Sequence, residues 1–476
     1  MSIDVNKFYI DGEWIEPKGA TPFNLINPAT EEVHGQVMLG TAEHVDLAVA
    51  AARRAFVTYS KVSVKDRLDL INRIIAGYEA RRDELAQAMT DEMATPITFS
   101  KAGQVSMALF HFQEMARVLE NYEFEKYMGS TLIRREPIGV CGLITAWNWP
   151  LSLVTAKVAP AIAAGCTVVV KPSEMSPKSA VVLAEILHAA GVPKGVFNMV
   201  FGEGPVVGEV IAGHTDIDMV SITGSTRAGI RVAEVAAPTV KRVTQELGGK
   251  SPNVILPSAD LASVIPAGVM GCYINNGQAC QAPTRMIVHR SQRDEAIAHA
   301  KRAAEAIRIG DPNDPSTQLG PLVNRAQFEK VQNLIQTGIN QGATLVSGGA
   351  GRPDGFNRGF YVRPTVFADV TSEMRIAREE IFGPVLSMHF YDSEEEAVAI
   401  ANDTEYGLAA FISGDLDEAR RVATQIRAGR VYLNGAAVDR TVPFGGFKRS
   451  GNGREYGVFG FEEYLEVKAV LGHAAA

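Results

Sequence analysis

The sequence contains little cysteine. Its 476 residues include four cysteines, none in a CxxC pair or in a cysteine–histidine cluster with zinc spacing. This pattern excludes a disulfide-rich scaffold and a zinc module, and we expect no metal site. A chain of this length buries enough surface to fold without disulfides. We therefore expect reduced thiols and a cytoplasmic location.

An excess of positive charge is also absent. The chain carries 46 Lys and Arg against 54 Asp and Glu, a formal charge of −8. Proteins that bind nucleic acid usually present a basic face, so we expect no nucleic-acid partner. The stretch 137–156 is uncharged and long enough to cross a membrane, but Gly139, Gly142 and Pro150 interrupt it. We interpret it as a buried strand, a loop and a helix, and we expect no membrane partner.

The sequence does contain a regular alternation of strand and helix patterns, and its length predicts two or three domains. Apolar, β-branched runs that alternate with helical ones predict a parallel sheet covered on both faces, as in dinucleotide-binding domains. The strands of this first α/β block are predicted at 140–146, 167–171, 196–201, 219–223 and 242–246. A second α/β block is predicted from 251 to 443.

Two segments with strand patterns lie outside these blocks. Residues 122–136 are polar with β character and predict a hairpin that projects from the body. Residues 464–470 alternate polar and apolar side chains, which predicts an exposed strand near the end of the chain. Such a strand invites pairing with another subunit.

The polar turn 275–285 contains the best candidate for a nucleophile, Cys280. A lone cysteine is more often a buried small hydrophobic residue, which is our interpretation of Cys141, Cys166 and Cys272. Cys280 differs because its neighbours are polar, and we expect a helix terminus and a nearby nicotinamide charge to activate its thiol. No histidine lies near it in sequence, so a papain-like protease is not indicated.

Two more candidates follow the ends of predicted strands. Glu246 ends an apolar strand and precedes Leu-Gly-Gly, so we expect it to point inward, where a raised pKa suits a general base. The alternative is a solvated surface carboxylate. Asn148 follows the strand 140–146, and we interpret it as an oxyanion donor. We expect Cys280, Glu246 and Asn148 to meet in one cleft.

Three short motifs indicate a dinucleotide. Residues 202–208 approach a GxGxxG pattern, but glycines with a purely geometric role are the commoner explanation. Residues 222–226 place Ser225 at a helix start, either for a pyrophosphate or as a plain N-cap. Lys171 and Glu174 are able to clasp a ribose, and a carboxylate there favours NAD over NADP. The alternative for this pair is a surface ion pair of little energetic weight.

Taken together, the motifs resemble those of the NAD(P)-dependent aldehyde dehydrogenase superfamily, in its non-acylating branch. The resemblance covers nearly the whole chain. It depends on the segments Trp147–Pro150, Lys171–Glu174, Thr223–Ser225, Glu246–Pro252, Gly277–Cys280, Glu380–Pro384 and Pro443–Gly446.

The resemblance implies a mechanism. Cys280 attacks an aldehyde, Asn148 and the Cys280 backbone N–H stabilise the oxyanion, and Glu246 activates water to release an acid. Losing one oxyanion donor typically costs about 3–4 kcal/mol of transition-state stabilisation. Lys157 and Glu455 match positions linked to a proton path behind Glu246. CoA-acylating relatives do not need this base, so the presence of Glu246 favours hydrolytic release.

The resemblance also implies the fold and the cofactor site. The aldehyde dehydrogenase fold combines a Rossmann-like NAD-binding domain (1–121 and 137–249), an α/β catalytic domain (250–443) and a small β oligomerisation arm with the C-terminal tail (122–136 and 444–476). Homodimers or homotetramers are expected. NAD is the expected cofactor, with NADP possible. The residues expected to contact it are Trp147, Lys171, Ser173, Glu174, Gly204, Gly208, Thr223, Gly224, Ser225, Leu247, Glu380 and Phe382.

The substrate tunnel is where this chain departs from many relatives. Ala156 stands where they often carry a large aromatic residue, which predicts a wider tunnel. The expected lining is Trp149, Leu153, Ala156, Ala279, Gln281, Val438 and Phe444. It is mostly apolar and contains no arginine, unless Arg117 or Arg440 turns inward. We therefore expect an aromatic or medium-chain aliphatic aldehyde, with an acidic semialdehyde as the alternative.

Two functions of other classes compete with aldehyde oxidation. The first is a non-catalytic binding protein on the same scaffold, because a fold does not fix a function. The presence of Cys280, Asn148 and Glu246 argues against it. The second is cofactor-independent hydrolysis of esters by the Cys280 thiolate. A complete dinucleotide site argues against this as the main role.

Overall fold

The strands of the molecule form four sheets. The fold is known from a computed structural model, which describes residues 3–474. In chain order the strands are β1 (Ile3–Val5), β2 (Phe8–Ile10), β3 (Glu13–Ile15), β4 (Thr21–Ile26), β5 (Val33–Leu39), β6 (Glu125–Met128), β7 (Thr131–Pro137), β8 (Val140–Ile144), β9 (Thr167–Lys171), β10 (Phe197–Met199), β11 (Met219–Thr223), β12 (Arg242–Glu246), β13 (Pro252–Ile255), β14 (Arg285–His289), β15 (Thr344–Ser347), β16 (Thr365–Ala368), β17 (Val385–Tyr391), β18 (Ala409–Ser413), β19 (Arg430–Leu433), β20 (Gly451–Asn452) and β21 (Leu465–Val470).

The helices cover the faces of the two large sheets. They are α1 (Ala42–Tyr59), α2 (Val64–Ala80), α3 (Arg82–Met93), α4 (Ile97–Phe99), α5 (Val105–Asn121), α6 (Pro150–Ala164), α7 (Pro177–Ala189), α8 (Glu209–Gly213), α9 (Thr226–Ala236), α10 (Leu261–Tyr273), α11 (Arg293–Glu305), α12 (Arg325–Asn340), α13 (Arg375–Arg378), α14 (Glu394–Asn402), α15 (Leu416–Ala423) and α16 (Gly457–Glu462). Two π-helical turns, Ser100–Gln104 and Gly204–Gly208, precede α5 and α8. Among the residues that the structure describes, no helix is long and apolar enough to cross a membrane.

The first large sheet confirms the predicted dinucleotide-binding architecture. Its strand order is β20-β12-β11-β8-β9-β10-β2-β3, and the five strands from β12 to β10 run parallel. Every residue of β8 and β9 is buried, as expected for continuous apolar runs covered on both faces. The chain runs outward from β8 through β9 to β10 and then returns to β11, so the order reverses between β8 and β11. Ligands bind beside such a reversal, at the carboxyl ends of the strands.

The second large sheet confirms the second α/β block. Its order is β15-β16-β17-β14-β13-β18-β19, parallel except for β15. The sequence patterns do not predict β15, an edge strand whose residues are exposed or half-buried. An edge strand with few buried side chains carries little of the apolar pattern that predicts strands.

The predicted hairpin is present as β6 and β7. The terminal strand β21 pairs antiparallel with β7 of the same chain, from Leu465 opposite Pro137 to Val470 opposite Leu132. β21 and β6 form the two edges of this small sheet. Part of the tail lies elsewhere, because β20 pairs with β12 in the first large sheet. The tail therefore connects the small sheet to the end of the strand that carries Glu246.

Candidate active site

Three successive left-handed residues shape the turn before Cys280. Asn275, Asn276 and Gly277 have φ angles of 54°, 60° and 75°. Asparagine and glycine are the residues that tolerate this conformation best. A Cβ on Gly277 would lie 2.1 Å from the carbonyl carbon of Gly383, so no other residue fits there. The turn ends the 3₁₀ segment after α10 and leaves Cys280 half-buried.

No helix begins at Cys280, so the expected activation by a helix terminus is wrong. The chain from 278 to 284 is turn and coil, and it continues into β14. Burial, followed by the charges of Glu380 and Glu246, raises the pKa of the Cys280 thiol to about 12. The backbone N–H groups of Gln281 and Cys280 act in the opposite direction. The resting thiol is therefore protonated at neutral pH.

Asn148 lies against the nucleophile turn. Nδ2 of Asn148 donates to the backbone carbonyl of Gln278 at 3.1 Å. The backbone carbonyl of Asn148 accepts from Nδ2 of Asn275 at 2.7 Å. An amide has two N–H donors. The second N–H of Asn148 has no acceptor among the described residues, although the side chain is buried. This N–H is therefore available to a ligand bound beside the Cys280 turn.

Glu246 points inward, as its position at the end of β12 predicts. It is only 5% exposed, and neither carboxylate oxygen has a hydrogen-bond partner among residues 3–474. Burial, and after it the charge of Glu455, raises the pKa of Glu246 well above its usual range. A Cβ on Gly445, whose φ is +144°, would lie 2.6 Å from Oε1 of Glu246. The absent side chain at Gly445 therefore makes the room that this carboxyl group occupies.

A buried ion pair lies behind Glu246. Lys157 Nζ contacts Glu455 Oε1 at 2.5 Å and donates to Ser221 Oγ at 3.0 Å. The Lys157 side chain is fully buried and that of Glu455 is 9% exposed. The backbone of Glu455 exchanges two hydrogen bonds with Phe444, next to Gly445. The structure thus brings together the two residues that the resemblance links to Glu246.

Lys171 and Glu174, the two residues of the expected ribose clasp, are in contact. Lys171 Nζ donates to Glu174 Oε2 at 3.2 Å and to the carbonyl of Gly202 at 2.8 Å. The Lys171 side chain is buried, so the alternative of an exposed surface pair does not apply. On the other side of the cleft, Glu380 Oε1 accepts from the backbone N–H of Gly249 at 2.9 Å. Burial raises the pKa of Glu380.

Several expected cofactor residues lie around this cleft with distinct local roles. The Ser225 hydroxyl accepts from the N–H of Ala228, so it acts as the N-cap of α9. Trp147 and Phe382 form an edge-to-face pair at 5.4 Å. Gly204 begins the π-helical turn and Gly208 ends it. Among the remaining expected cofactor residues, Ser173 and Leu247 are buried and Gly224 is half-buried.

Polar groups without partners mark the carboxyl ends of three adjacent strands. Thr145 Oγ1, Thr223 Oγ1 and both carboxylate oxygens of Glu246 are buried and lack hydrogen bonds among the described residues. They follow or end β8, β11 and β12, beside the reversal of strand order. Buried polar atoms are normally paired, so unpaired ones indicate a ligand or ordered water. Together with the Lys171 clasp, they fit a bound dinucleotide.

The expected tunnel residues fall into three groups. Gln281 and Val438 line one cavity of about 520 Å³. Ala156 lines a second, small cavity with Tyr456, and Phe444 stacks on Tyr456 at 5.0 Å. Trp149 packs edge-to-face on Phe99 at 5.5 Å. Ala279 is buried in the nucleophile turn, and Leu153 is the one half-buried residue of α6.

Several residues of the site are not predictable from the sequence patterns. Tyr456 lines the small cavity and stacks on Phe444. Asn275 donates a hydrogen bond to the loop that contains Asn148. Thr95 and Gln104 reach Asn275 from 180 and 171 residues away. No local pattern connects positions so far apart, and only the folded chain shows their contact.

Comparison with known proteins agrees with this geometry. The family model described as "Aldehyde dehydrogenase family" matches residues 14–470. A 3-succinoylsemialdehyde-pyridine dehydrogenase of Pseudomonas sp is 53% identical over 472 residues, 99% of each chain. A putative aldehyde dehydrogenase of Staphylococcus aureus is 45% identical over 99% of each chain. Among solved structures, a cysteine-to-alanine mutant of aldehyde dehydrogenase C from Pseudomonas syringae, complexed with NAD+ and octanal, is 57% identical. That comparison covers 99% of this chain and 98% of the other, with a TM-score of 0.98.

Proposed function

The chain belongs to the aldehyde dehydrogenase family and is an NAD(P)-dependent oxidoreductase, and from this premise we propose that it oxidises an aldehyde to the free acid through a thioester on Cys280. The observation that carries the proposal is the arrangement around the nucleophile. The half-buried thiol of Cys280 lies in the charge field of Glu246, a buried carboxyl group without a partner among the described residues. The free N–H of Asn148 is held against the same turn.

In the first half of the reaction, the Cys280 thiol gives its proton to the Glu246 carboxylate, which passes it on to the Lys157–Glu455 pair, and the Cys280 sulfur bonds to the aldehyde carbon. The aldehyde oxygen gains negative charge and accepts hydrogen bonds from Asn148 Nδ2 and the Cys280 backbone N–H. Preorganised donors of this kind supply about 3–4 kcal/mol each. NAD, when bound, carries a positive nicotinamide ring and accepts the hydride that leaves the aldehyde carbon. A thioester on Cys280 remains.

In the second half, Glu246 removes a proton from a water molecule that attacks the thioester carbonyl. Its raised pKa makes the carboxylate a stronger base than an exposed glutamate. We assign Lys157 and Glu455 to the passage of this proton away from Glu246, because their buried pair adjoins it. The acid then leaves, and the Cys280 thiol is restored.

The cofactor is held along the first large sheet. We propose that Lys171 and Glu174 hold the adenosine ribose and that Glu380 holds the nicotinamide ribose. A half-buried carboxylate at Glu174 disfavours a 2′-phosphate, which supports NAD over NADP. Trp147, Phe382 and Leu247 are the apolar residues of the cleft.

The substrate we propose is an aromatic or medium-chain aliphatic aldehyde. The similar enzyme of P. syringae was crystallised with octanal, an unbranched aliphatic aldehyde. Gln281 and Val438 open onto a cavity lined mostly by apolar groups.

An acidic semialdehyde is the second candidate, supported by one observation. Arg117 is paired with Glu114, but Arg440 has no carboxylate partner among the described residues and lies over the ring of Phe110 at 5.6 Å. The name of the Pseudomonas relative joins a semialdehyde to a pyridine ring and not to a carboxylate, so it supports the ring-bearing aldehyde of the first candidate. An unpaired guanidinium on the loop that carries Val438 would suit a substrate carboxylate.

Aldehyde-dependent reduction of NAD, followed by absorbance of the reduced cofactor, tests both candidates. Octanal and benzaldehyde should give higher kcat/KM than succinic semialdehyde, and the reverse order would favour the second candidate. Cys280→Ser should abolish turnover and leave NAD affinity unchanged. Full activity in Cys280→Ser would refute the proposed nucleophile.

We further propose a cytoplasmic homodimer or homotetramer. The four cysteines are unpaired, as expected for a reducing compartment. The small sheet of β6, β7 and β21 exposes Tyr127, Met128 and Val467, each more than half exposed. Light scattering of the purified chain distinguishes a dimer from a tetramer, and a monomer would contradict the role of this sheet as an arm.

A further inference from the structure

Asn275 connects the two loops on which the proposed chemistry depends. Its Nδ2 donates to the backbone carbonyl of Asn148 at 2.7 Å and to the backbone carbonyl of Gln278 at 3.2 Å. Asn148 Nδ2 donates to the same Gln278 carbonyl at 3.1 Å. The nucleophile Cys280 follows two residues later. A single buried amide thus joins the loop of the oxyanion donor to the loop of the nucleophile.

The orientation of this amide is fixed from behind. Oδ1 of Asn275 accepts from the Thr95 hydroxyl at 3.1 Å and from Nε2 of Gln104 at 2.9 Å. Both donors and both acceptor positions of the Asn275 amide are therefore used. A flipped amide would point its N–H groups at the Thr95 and Gln104 donors and lose these bonds, so the side chain has one favourable orientation.

The backbone around Asn275 supports the same conclusion. Asn275 is 4% exposed and adopts φ 54° and ψ 42°, a left-handed conformation that few residues other than asparagine and glycine tolerate. Gln104 ends a π-helical turn, a rare feature that is frequent at functional sites. Strained elements persist where the surrounding contacts hold them.

We propose that Asn275 is a positioning residue for the oxyanion donor, with Thr95 and Gln104 as its supports. It sets the distance between the free N–H of Asn148 and the backbone N–H of Cys280, where the aldehyde oxygen develops its charge. This inference depends on the proposed role of Asn148. A displacement of about 1 Å at a reacting group is able to cost about 100-fold in rate, so removing this connection has a measurable effect.

The test is a double-mutant cycle on hydride transfer in a single turnover, with octanal and saturating NAD. Asn275→Asp keeps size and left-handed tolerance but replaces both donors with acceptors. It should slow hydride transfer about 10- to 100-fold in the wild-type background, less than the roughly 100- to 1,000-fold loss on removing an oxyanion donor, because Asn148 is displaced and not removed. In the Asn148→Ala background, the same substitution should change the rate by about twofold or less, because coupled residues are not additive.

The neighbouring Asn276 supplies a matched control. It is also left-handed and buried, and its Nδ2 donates to the carbonyls of Ala94 and Pro321 but not to Asn148. Asn276→Asp should lower the rate by the same factor with and without Asn148. Alkylation of Cys280 by iodoacetamide, compared with wild type at one alkaline pH, reports the thiol alone, and its rate should stay close to that of wild type in Asn275→Asp. A merely structural defect would slow alkylation as well.

The outcomes separate this inference from the proposed function. If Asn148→Ala is impaired and Asn275→Asp slows both backgrounds equally, the positioning role is wrong while the proposed function stands. If Asn148→Ala transfers hydride at the wild-type rate, the oxyanion assignment fails and this inference fails with it. Should Asn275→Asp not fold, Thr95→Val removes one support isosterically. This variant loses the hydrogen bonds of the Thr95 hydroxyl to Asn275 and from Gln104. It should slow wild type about five- to 100-fold, as expected for two lost hydrogen bonds, and leave Asn148→Ala unchanged. Equal losses in both backgrounds would overturn the proposal.

Discussion

Gly445→Ala should separate the two halves of the proposed reaction. The new methyl group would lie 2.6 Å from Oε1 of Glu246, whereas ordinary van der Waals contact begins at 3.4 Å. It would also lie 2.9 Å from the backbone carbonyl oxygen of Gly453. The backbone cannot yield easily there, so we expect the Glu246 carboxyl group to move. A misplacement of about 1 Å costs about 100-fold in a step that needs alignment, which sets the expected loss in thioester hydrolysis at about 10- to 100-fold.

The assay is a pre-steady-state burst of reduced cofactor. In the proposed reaction Cys280 and Asn148 act before Glu246 activates water, so the burst should remain near one equivalent per site while the steady-state rate falls. Hydroxylamine, which attacks thioesters without a base, should restore turnover. A positive φ disfavours alanine by about 1–3 kcal/mol on its own. Gly351→Ala controls for this effect, because Gly351 has φ +95°, and a Cβ added there would have no atom within 4 Å. An equal loss of burst and steady-state rates, or full activity in Gly445→Ala, would refute the reasoning.

Three further changes test other parts of the site. Glu455→Gln removes a negative charge that raises the pKa of Glu246, so the carboxylate forms at lower pH and the rising limb of kcat against pH should move to lower pH; a shift to higher pH would contradict this sign. Glu174→Gln should raise the ratio of kcat/KM for NADP to that for NAD by about tenfold, since the 2′-phosphate no longer meets a carboxylate. Ala156→Trp should lower the free energy of unfolding, measured by denaturant titration, by about 1–3 kcal/mol, because the cavity of about 10 Å³ beside Tyr456 has no room for the larger side chain.

The fold was largely predictable because its strands follow a simple rule. Strands such as β9 are apolar, β-branched and buried on both faces, so their sequence predicts both a parallel sheet and its location. The inward position of Glu246 follows from the same rule, since a carboxylate that ends such a strand is drawn into the sheet. The strand β15 escaped prediction because it lies at an edge and buries little.

The site was less predictable, because its geometry depends on distant contacts. The sequence around Cys280 indicates a polar turn, but it does not show that the preceding asparagines are left-handed or that Thr95 and Gln104 hold Asn275. The expected helix terminus at Cys280 was wrong for the same reason. A polar, glycine-containing segment is compatible with a helix start or with a turn that ends one, and packing against Gly383 selects the turn.

The resting state of the site follows from burial more than from any single charge. Burial raises the pKa of the Cys280 thiol to about 12, so the thiol form predominates at neutral pH. Glu246 and Glu380 both oppose the thiolate, and their own pKa values are raised by the same burial. A low thiolate fraction protects a cysteine from oxidation, because oxidation follows thiolate character. The groups that favour the thiolate are the backbone N–H groups of Cys280 and Gln281, and the former is also the proposed oxyanion donor. The site that keeps the thiol protonated at rest therefore already contains the Cys280 backbone N–H. We propose that this N–H stabilises the negative charge on the substrate oxygen.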